Sequence, residues 1–306
     1  MSSLFLFGAG ASFGSGPCTP SNPPLGKDFF PSLKKTSKAA KVVSPELEAL
    51  FNKNFEEAMD TYFDIHHKHI RKFLNEMAIY FSKFKPDKGN YYQELMDRLV
   101  KSRKKYVIST TNYDLLIEHA ILKTGKSIIY NSESTKDEGI SLLKIHGSAN
   151  FLPDPNASKG ILEVSEEAFI DMRKGTSSLD YPVRLTMSED EIFNYGKIQT
   201  GLAPAIAIYS PSKRVLYSKR YVEEQQRMWT DQVNKSKKIF IVGLRLHPSD
   251  KHIWQCLAST KSDIFYGGFE YKETKDWFLD RGKRNIYRLG DTFEKSFTSI
   301  KNVLKV

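Results

Sequence analysis

The chain has 306 residues, 40% of them hydrophobic, and carries a formal net charge of +10 at pH 7. That length is ample for a buried core, and no apolar run approaches the roughly 20 residues of a membrane span, so we expect a cytoplasmic protein without a membrane partner. Two cysteines, Cys18 and Cys256, are too few for a four-cysteine zinc site and predict isolated thiols. The basic residues are scattered and no recognition motif accompanies them, so we expect nucleic acid to be an indirect partner at most.

The N-terminal third opens with a short apolar strand over residues 4–7, which leads directly into a glycine-rich turn over residues 8–12. Prolines recur in the following loop, residues 14–26, and block regular structure there. From about residue 44 to residue 100 apolar residues recur at helical spacing, and the serine–proline pair that opens this segment is a helix start signal. We interpret this segment as a helical insertion between the first two strands of a sheet.

The rest of the chain alternates short apolar strands with helices. The run 106–110 is typical of a strand buried on both faces of a parallel sheet. Helices are predicted over residues 115–122, 221–236, from 253, and 293–304. Further strands are predicted over residues 127–130, 141–145, 205–208, 238–243, 264–266 and 285–288. This alternation predicts an α/β fold, a Rossmann-like parallel sheet flanked by helices, in a single domain over residues 1–306.

The turn after the first strand reads Gly-Ala-Gly-Ala-Ser from Gly8 to Ser12. Glycines let the backbone approach a phosphate closely, with N–H groups turned toward the anion. Phe13 stands where the G-x-G-x-x-G dinucleotide fingerprint requires its third glycine, so a phosphate cradle and a plain tight turn both stay open. The cradle gains support from its place, because ligands of open α/β sheets bind outside the carboxyl ends of the strands.

Asn112 and Asp114 follow the predicted strand 106–110. In an extended segment their side chains point to the same side, where an amide and a carboxylate can hold ribose hydroxyls, a carboxamide or a water molecule. The alternative is that Asn112 caps the following helix and Asp114 lies in its first turn.

His146 follows the predicted strand 141–145 and precedes Gly147, which leaves space beside it. A histidine at such a strand end is well placed as a general base, although a purely structural histidine fits the same pattern. Gly243 ends another strand and permits the close approach of a ligand. Asp250 either binds a ribose or caps the helix that follows it.

Together these segments resemble the sirtuin superfamily. The similarity lies in a GAGxS turn at Gly8 to Ser12, a TxNxD segment at Thr110 to Asp114, and an HG pair at His146. The motifs are short, but they agree jointly in order and spacing.

The chain is more closely similar to the sirtuin-like domains of bacterial antiphage defence systems. Its segment from Pro24 to Phe30 resembles their P-L-G-x-x-F segment. Its segment from Val242 to Leu246, followed by Asp250, resembles their V-G-Y-S-L…D segment.

The resemblance implies that the chain binds NAD as a substrate and requires no metal. Deacylating sirtuins cleave the nicotinamide–ribose bond with an acyl-lysine oxygen, whereas the defence branch hydrolyses the same bond with water and depletes cellular NAD. Carried over by motif, Asn112 positions the ribose and the attacking water, Asp114 contacts the nicotinamide end, and His146 is the base. The other matched positions are expected to bind NAD: Gly8, Ala9, Gly10, Ala11, Ser12, Thr111, Gly243, Leu244 and Asp250.

Departures from the deacylase pattern favour hydrolysis. With two cysteines the chain cannot form the deacylase zinc ribbon, and Thr111 stands where deacylases have glutamine. Pro24-Leu25-Gly26 replaces their GIPDFR-like segment. Two alternatives stay open: a zinc-free NAD-dependent deacylase or ADP-ribosyltransferase, and a non-catalytic NAD- or ADP-ribose-binding subunit.

An NAD hydrolase has to be restrained in healthy cells. We see no second domain in the sequence that would sense phage, so the trigger is expected in another polypeptide. The resemblance therefore leads us to expect a homo-oligomer, or a partner such as a HerA-type ATPase or an Argonaute-like protein.

Overall fold

The computed structural model describes residues 2–102, 104–130, 139–157, 180–197, 201–208 and 215–305. A seven-stranded parallel sheet runs through its centre, in the order β7-β6-β5-β1-β2-β4-β3. The strands are β1 (Ser2–Phe7), β2 (Lys105–Thr110), β3 (Ser127–Ile129), β4 (Gly139–Lys144), β5 (Lys238–Val242), β6 (Asp263–Gly267) and β7 (Ile286–Gly290). The predicted Rossmann-like parallel sheet is confirmed.

Helices connect the strands and cover both faces of the sheet. Following β1 they are α1 (Ala9–Phe13), α2 (Gly26–Lys34), α3 (Lys38–Lys41), α4 (Pro45–Lys53), α5 (Phe55–Ile65), α6 (Ile70–Phe81) and α7 (Tyr91–Ser102). Following β2 they are α8 (Leu116–Lys123), α9 (Glu189–Lys197), α10 (Lys219–Lys235), α11 (Lys251–Ser259), α12 (Tyr271–Leu279) and α13 (Phe293–Leu304). None of the helices in the described part of the chain is long and apolar enough to cross a bilayer.

The alternation along β1 explains why this strand lies at the centre of the sheet. Phe5 and Phe7 pack into one hydrophobic cluster with residues of α7, α8 and α13. Leu4 and Leu6 pack into another on the opposite face, with residues of α10, α11 and α12. A strand that is apolar on both faces is stable only where both faces are covered, so it occupies the interior of a three-layer sandwich.

The helical segment after β1 begins earlier than its periodicity indicated. Ser44 starts α4 as predicted, because its side chain accepts a hydrogen bond from the Leu47 N–H. However, α2 and α3 precede it, and Phe29 and Phe30 of α2 already belong to the aromatic core of the segment. The missed helix follows directly on the proline-rich loop and contains Pro31 itself, a residue that argues locally against a helix interior.

The prediction of a strand at residues 205–208 is wrong. Ile206 forms an isolated antiparallel bridge with Gly147, and Ala207 forms another with Val215. This segment lies across the turn that follows β4, where the Ala207 N–H donates to the carbonyl of His146 at 2.9 Å. Its apolar residues are therefore buried in packing around the turn rather than in a strand of the sheet.

Candidate functional site

Four strands end in line at one edge of the sheet. Phe7 of β1 is paired with Val242 of β5 and with Thr110 of β2, and Thr110 is paired with Lys144 of β4. The segments that carry the predicted site residues therefore leave the sheet side by side. The strand order reverses between β1 and β5, and an open α/β sheet binds its ligands at such a point.

The glycine turns after β1 and β5 pack directly against each other. The Gly10 N–H donates to the Gly243 carbonyl at 2.9 Å, and the Gly8 N–H donates to the Val242 carbonyl at 3.0 Å. A Cβ atom on Gly243 would lie 2.0 Å from the Ala11 nitrogen, and Gly243 has φ +66°. These glycines are therefore required where one backbone approaches another, a reason that the sequence pattern alone did not indicate.

Asn112 is held by two hydrogen bonds to the glycine turn. Its Nδ2 donates to the Gly8 carbonyl at 3.0 Å and to Ser12 Oγ at 2.8 Å. The alternative in which Asn112 caps the following helix is wrong, since the Leu116 N–H at the start of α8 is accepted by Asp114 Oδ1 at 3.1 Å. With both amide hydrogens donated to the protein, Asn112 has its carbonyl oxygen to offer a ligand, as a hydrogen-bond acceptor.

Asp114 lies buried in the same network. Burial raises the pKa of its carboxyl group, while the Lys144 ammonium and a hydrogen bond from Ser12 act in the opposite direction. Asn112 and Asp114 thus meet at Ser12, which confirms the expectation that their side chains point to the same side.

Asp250 occupies the N-cap position of α11, one of the two alternatives that its sequence position left open, but its side chain does not perform the capping role. Its side chain makes no capping hydrogen bond to α11. Instead Asp250 Oδ1 lies 3.5 Å from His146 Nε2, and both side chains are almost fully buried. A carboxylate beside a buried imidazole stabilises the imidazolium that forms when the histidine takes a proton. The structure therefore brings together two residues that the sequence analysis had treated separately.

Three further predicted positions lie one or two residues after strands that end at this edge of the sheet. Thr111 is buried, and its N–H donates to the Phe7 carbonyl at 3.1 Å. Leu244 is also buried, and its carbonyl accepts a hydrogen bond from the Tyr266 hydroxyl at 2.9 Å. Ala9 is exposed at the start of α1.

Two depressions lie near this edge of the sheet. One, of about 300 Å³, is lined by Ile145 and His252, and the His252 ring lies 5.8 Å from the His146 ring. The other, of about 650 Å³, lies at the end of β7 and contains an ionic cluster of Arg288, Asp291 and Lys295. Neither depression is lined by a predicted site residue, but the smaller one adjoins His146 through Ile145 and His252 and is therefore the better candidate for the reacting end of a substrate.

Sequence reasoning missed two groups behind the site. Tyr92 of α7 is fully buried, and its hydroxyl lies 3.2 Å from Ser12 Oγ. Lys144, also fully buried, ends β4 and forms an ion pair with Glu118. A lysine inside an otherwise apolar strand was a visible signal, because buried lysines occur almost always in pairs with an acid; nothing in the helical pattern marks Tyr92.

No group of three histidine, cysteine or acidic side chains suited to hold a metal ion is found within the ranges that the structure describes.

Residues 106–188 match the family model of the SIR2-like domain, and this segment contains Asn112, Asp114 and His146. A comparison with curated proteins gives no significant match.

Similar solved structures include one described as showing the mechanism and regulation of Sir2 enzymes, which is 14% identical with a TM-score of 0.48 over 99% of this chain and 93% of that chain. Another is a complex of a Sir2 homologue variant with ADP-ribose, also 14% identical, with a TM-score of 0.46 over 100% of this chain and 94% of that chain. Similarity this remote does not bear on function. The family-model match relates residues 106–188, the segment that carries Asn112, Asp114 and His146, to the SIR2-like domain.

Proposed function

We propose that this protein is an NAD hydrolase, which cleaves the bond between nicotinamide and ribose with water. The observation that carries the proposal is the buried pair of His146 and Asp250, which lies at the same edge of the sheet at which the segment bearing Asn112 leaves β2. A base with a carboxylate partner next to a fixed hydrogen-bond acceptor is suited to activating a hydroxyl group or a water molecule.

Each polar group has a definite task in this reaction. As the C–N bond breaks, its electron pair goes to the pyridinium nitrogen, and nicotinamide leaves as a neutral molecule. The carbonyl of Asn112 accepts a hydrogen bond from the attacking water. The oxygen of this water bonds to the ribose carbon, and its proton passes to His146. Asp250 stabilises the resulting imidazolium, and Asp114 accepts a hydrogen bond from the nicotinamide amide. Burial of these groups excludes competing water and strengthens their electrostatic effects.

We assign the enzyme to antiphage defence, where it would deplete cellular NAD. The support is the resemblance of its sequence motifs to the sirtuin-like domains of such systems. Its restraint would come from homo-oligomerisation or from a partner such as a HerA-type ATPase or an Argonaute-like protein. Deletion of the gene from a phage-resistant host, with measurement of plaque formation and cellular NAD, tests this assignment.

The nature of the acceptor distinguishes hydrolysis from deacylation. The purified protein is incubated with NAD, with and without an acetyl-lysine peptide, and the products are separated by chromatography. We expect equal amounts of nicotinamide and ADP-ribose in both samples. Formation of acetyl-ADP-ribose, or nicotinamide release only when peptide is present, would support the deacylase alternative instead.

Asp250→Asn is expected to lower kcat by about tenfold or more while leaving the KM for NAD nearly unchanged, since the amide cannot stabilise the imidazolium of His146. Steady-state kinetics on both proteins checks this prediction. If Asp250 instead holds a ribose hydroxyl of NAD, the substitution will raise KM, and kcat will change little.

Asn112→Ala is expected to slow nicotinamide release more than tenfold at saturating NAD, because the attacking water loses its fixed acceptor. The comparison is made under single-turnover conditions with Asn156→Ala, which changes an exposed asparagine outside the site. Equal rates in the two variants would exclude Asn112 from the chemical step.

A further inference from the structure

A buried ion pair lies directly behind the candidate site. Lys144 Nζ and Glu118 Oε1 are 3.0 Å apart, and neither side chain has any exposed surface. Lys144 ends β4 two residues before His146, and Glu118 lies in the first turn of α8. The pair thus connects two parts of the site. One is the end of β4, which leads to His146, and the other is the start of α8, which follows Asn112 and Asp114.

The same lysine contacts the segment that bears Asp114. Its Nζ donates to the backbone carbonyl of Asp114 at 2.6 Å. Asp114 is itself 4% exposed, so two carboxyl groups and one ammonium group share a single buried region. If all three were ionised, one negative charge would remain without compensation, and the burial of such a charge is unfavourable.

The charge balance of the cluster makes Asp114 the group whose ionisation depends on the other two. Lys144 and Glu118 neutralise each other at contact distance, which leaves Asp114 as the excess acid and the member of the cluster nearest to Ser12 and Asn112. Replacement of a buried ion pair by apolar residues is often neutral or stabilising, so stability alone gives no reason for this arrangement. Control of the charge of the neighbouring Asp114 carboxyl group does give a reason for this arrangement.

We propose that the buried Lys144–Glu118 pair sets the charge of Asp114 and so controls whether this carboxylate can accept a hydrogen bond from the substrate. Lys144 and Glu118 are therefore positioning residues that act through Asp114. The consequence for catalysis rests on the proposed function, since it is the amide of nicotinamide that would donate this hydrogen bond.

The groups that face Asp114 from each neighbouring element agree with this assignment. Burial raises the pKa of Asp114, and Lys144 of β4 lowers it. Burial likewise raises the pKa of Glu118; Lys144 opposes that shift, and the charge of Asp114 adds to it. Among the described residues, the Tyr92 hydroxyl on α7 and the Cys18 thiol also act on Asp114; burial raises the pKa of each, and both are neutral at pH 7. The Tyr130 hydroxyl, whose pKa burial also raises, lies 3.4 Å from Glu118 Oε1.

Opposite charge changes provide the test. Lys144→Met removes the cation and is expected to raise the pKa of Asp114 by about one unit or more, whereas Glu118→Gln removes an anion and is expected to lower it. Carbon-13 NMR of the aspartate carboxyl groups, followed against pH in the ligand-free protein, reads this pKa, and Asp114→Asn assigns the signal. Lys144→Arg keeps the charge and should restore the original value. Lys34→Met, which breaks a partly exposed pair with Glu48 on the helical insertion, should leave it unchanged.

Shifts in the same direction, or no shift, in folded Lys144→Met and Glu118→Gln would overturn the proposal. If Lys144→Met does not fold, the double variant Lys144→Met/Glu118→Gln leaves no unpaired ion and should raise the pKa by less than one unit, because the cation is the stronger influence on Asp114. A lowered pKa of Asp114 in the double variant would also overturn the proposal.

Because these titrations need no NAD, they succeed or fail independently of the proposed activity. In an active enzyme the acid limb of kcat/KM should move to higher pH with Lys144→Met and to lower pH with Glu118→Gln.

Discussion

Replacing His146 with alanine should slow nicotinamide release from NAD by about 10²- to 10⁴-fold, the range that a positioned general base supplies. The imidazole lies 3.5 Å from Asp250 Oδ1 and is almost fully buried, so bulk water has little access to replace it. Asp250 alone is a poor substitute, since a carboxylate fixed beyond the imidazole is placed to stabilise its charge rather than to reach the substrate.

The comparison needs a histidine that lies outside the site. His69, which is exposed in the helical insertion, provides it, and His69→Ala is expected to retain the wild-type rate. Circular dichroism and thermal midpoints establish that both variants fold. A folded His146→Ala protein that keeps more than about a tenth of the wild-type rate would show that another group is the base.

Gly243→Ala should lower the free energy of unfolding by about 2–5 kcal/mol, a large loss for a single added methyl group. Its φ of +66° is unfavourable for an L-residue, and the added Cβ would lie 2.0 Å from the Ala11 nitrogen. Because that contact is with backbone, the turn after β1 must move, which should also displace Ser12 and weaken the hold on Asn112.

Gly125→Ala separates the two contributions to this loss. Gly125 has φ +79° but open space where its Cβ would lie, so alanine there should cost only about 1–2 kcal/mol. Urea unfolding of both variants gives the difference, which measures the clash between the turns. Equal losses would mean that the two turns do not need their close contact.

The strands were the part of the fold that the sequence specified best. Leu4 to Phe7 and Ile239 to Val242 form nearly continuous apolar runs because both faces of a central parallel strand are covered. The Ala205 to Ile208 run looked the same locally, yet it is buried around the Gly147 turn. An apolar run indicates that a segment is buried. Whether it is buried within the sheet or against a turn depends on tertiary contacts.

The site was predictable as separate positions rather than as a network. Asn112 and Asp114 were selected from their place after a strand, and their common contact, Ser12, lies a hundred residues away in the chain. The approach of Asp250 to His146 depends on how the segment after β5 folds back over the end of β4. Short motifs carry no information about such distances, which is why helix capping seemed the simpler interpretation of Asp250.

The measurement that tests the central claim most directly is nicotinamide release from NAD by the purified protein alone, followed by chromatography beside the His146→Ala variant and an NAD titration of both. Hydrolysis predicts nicotinamide and ADP-ribose in equal amounts from the wild type, with release lost in the variant. Binding of NAD without release of nicotinamide would contradict hydrolysis by the chain alone, and would leave a binding subunit or an enzyme that needs its partner.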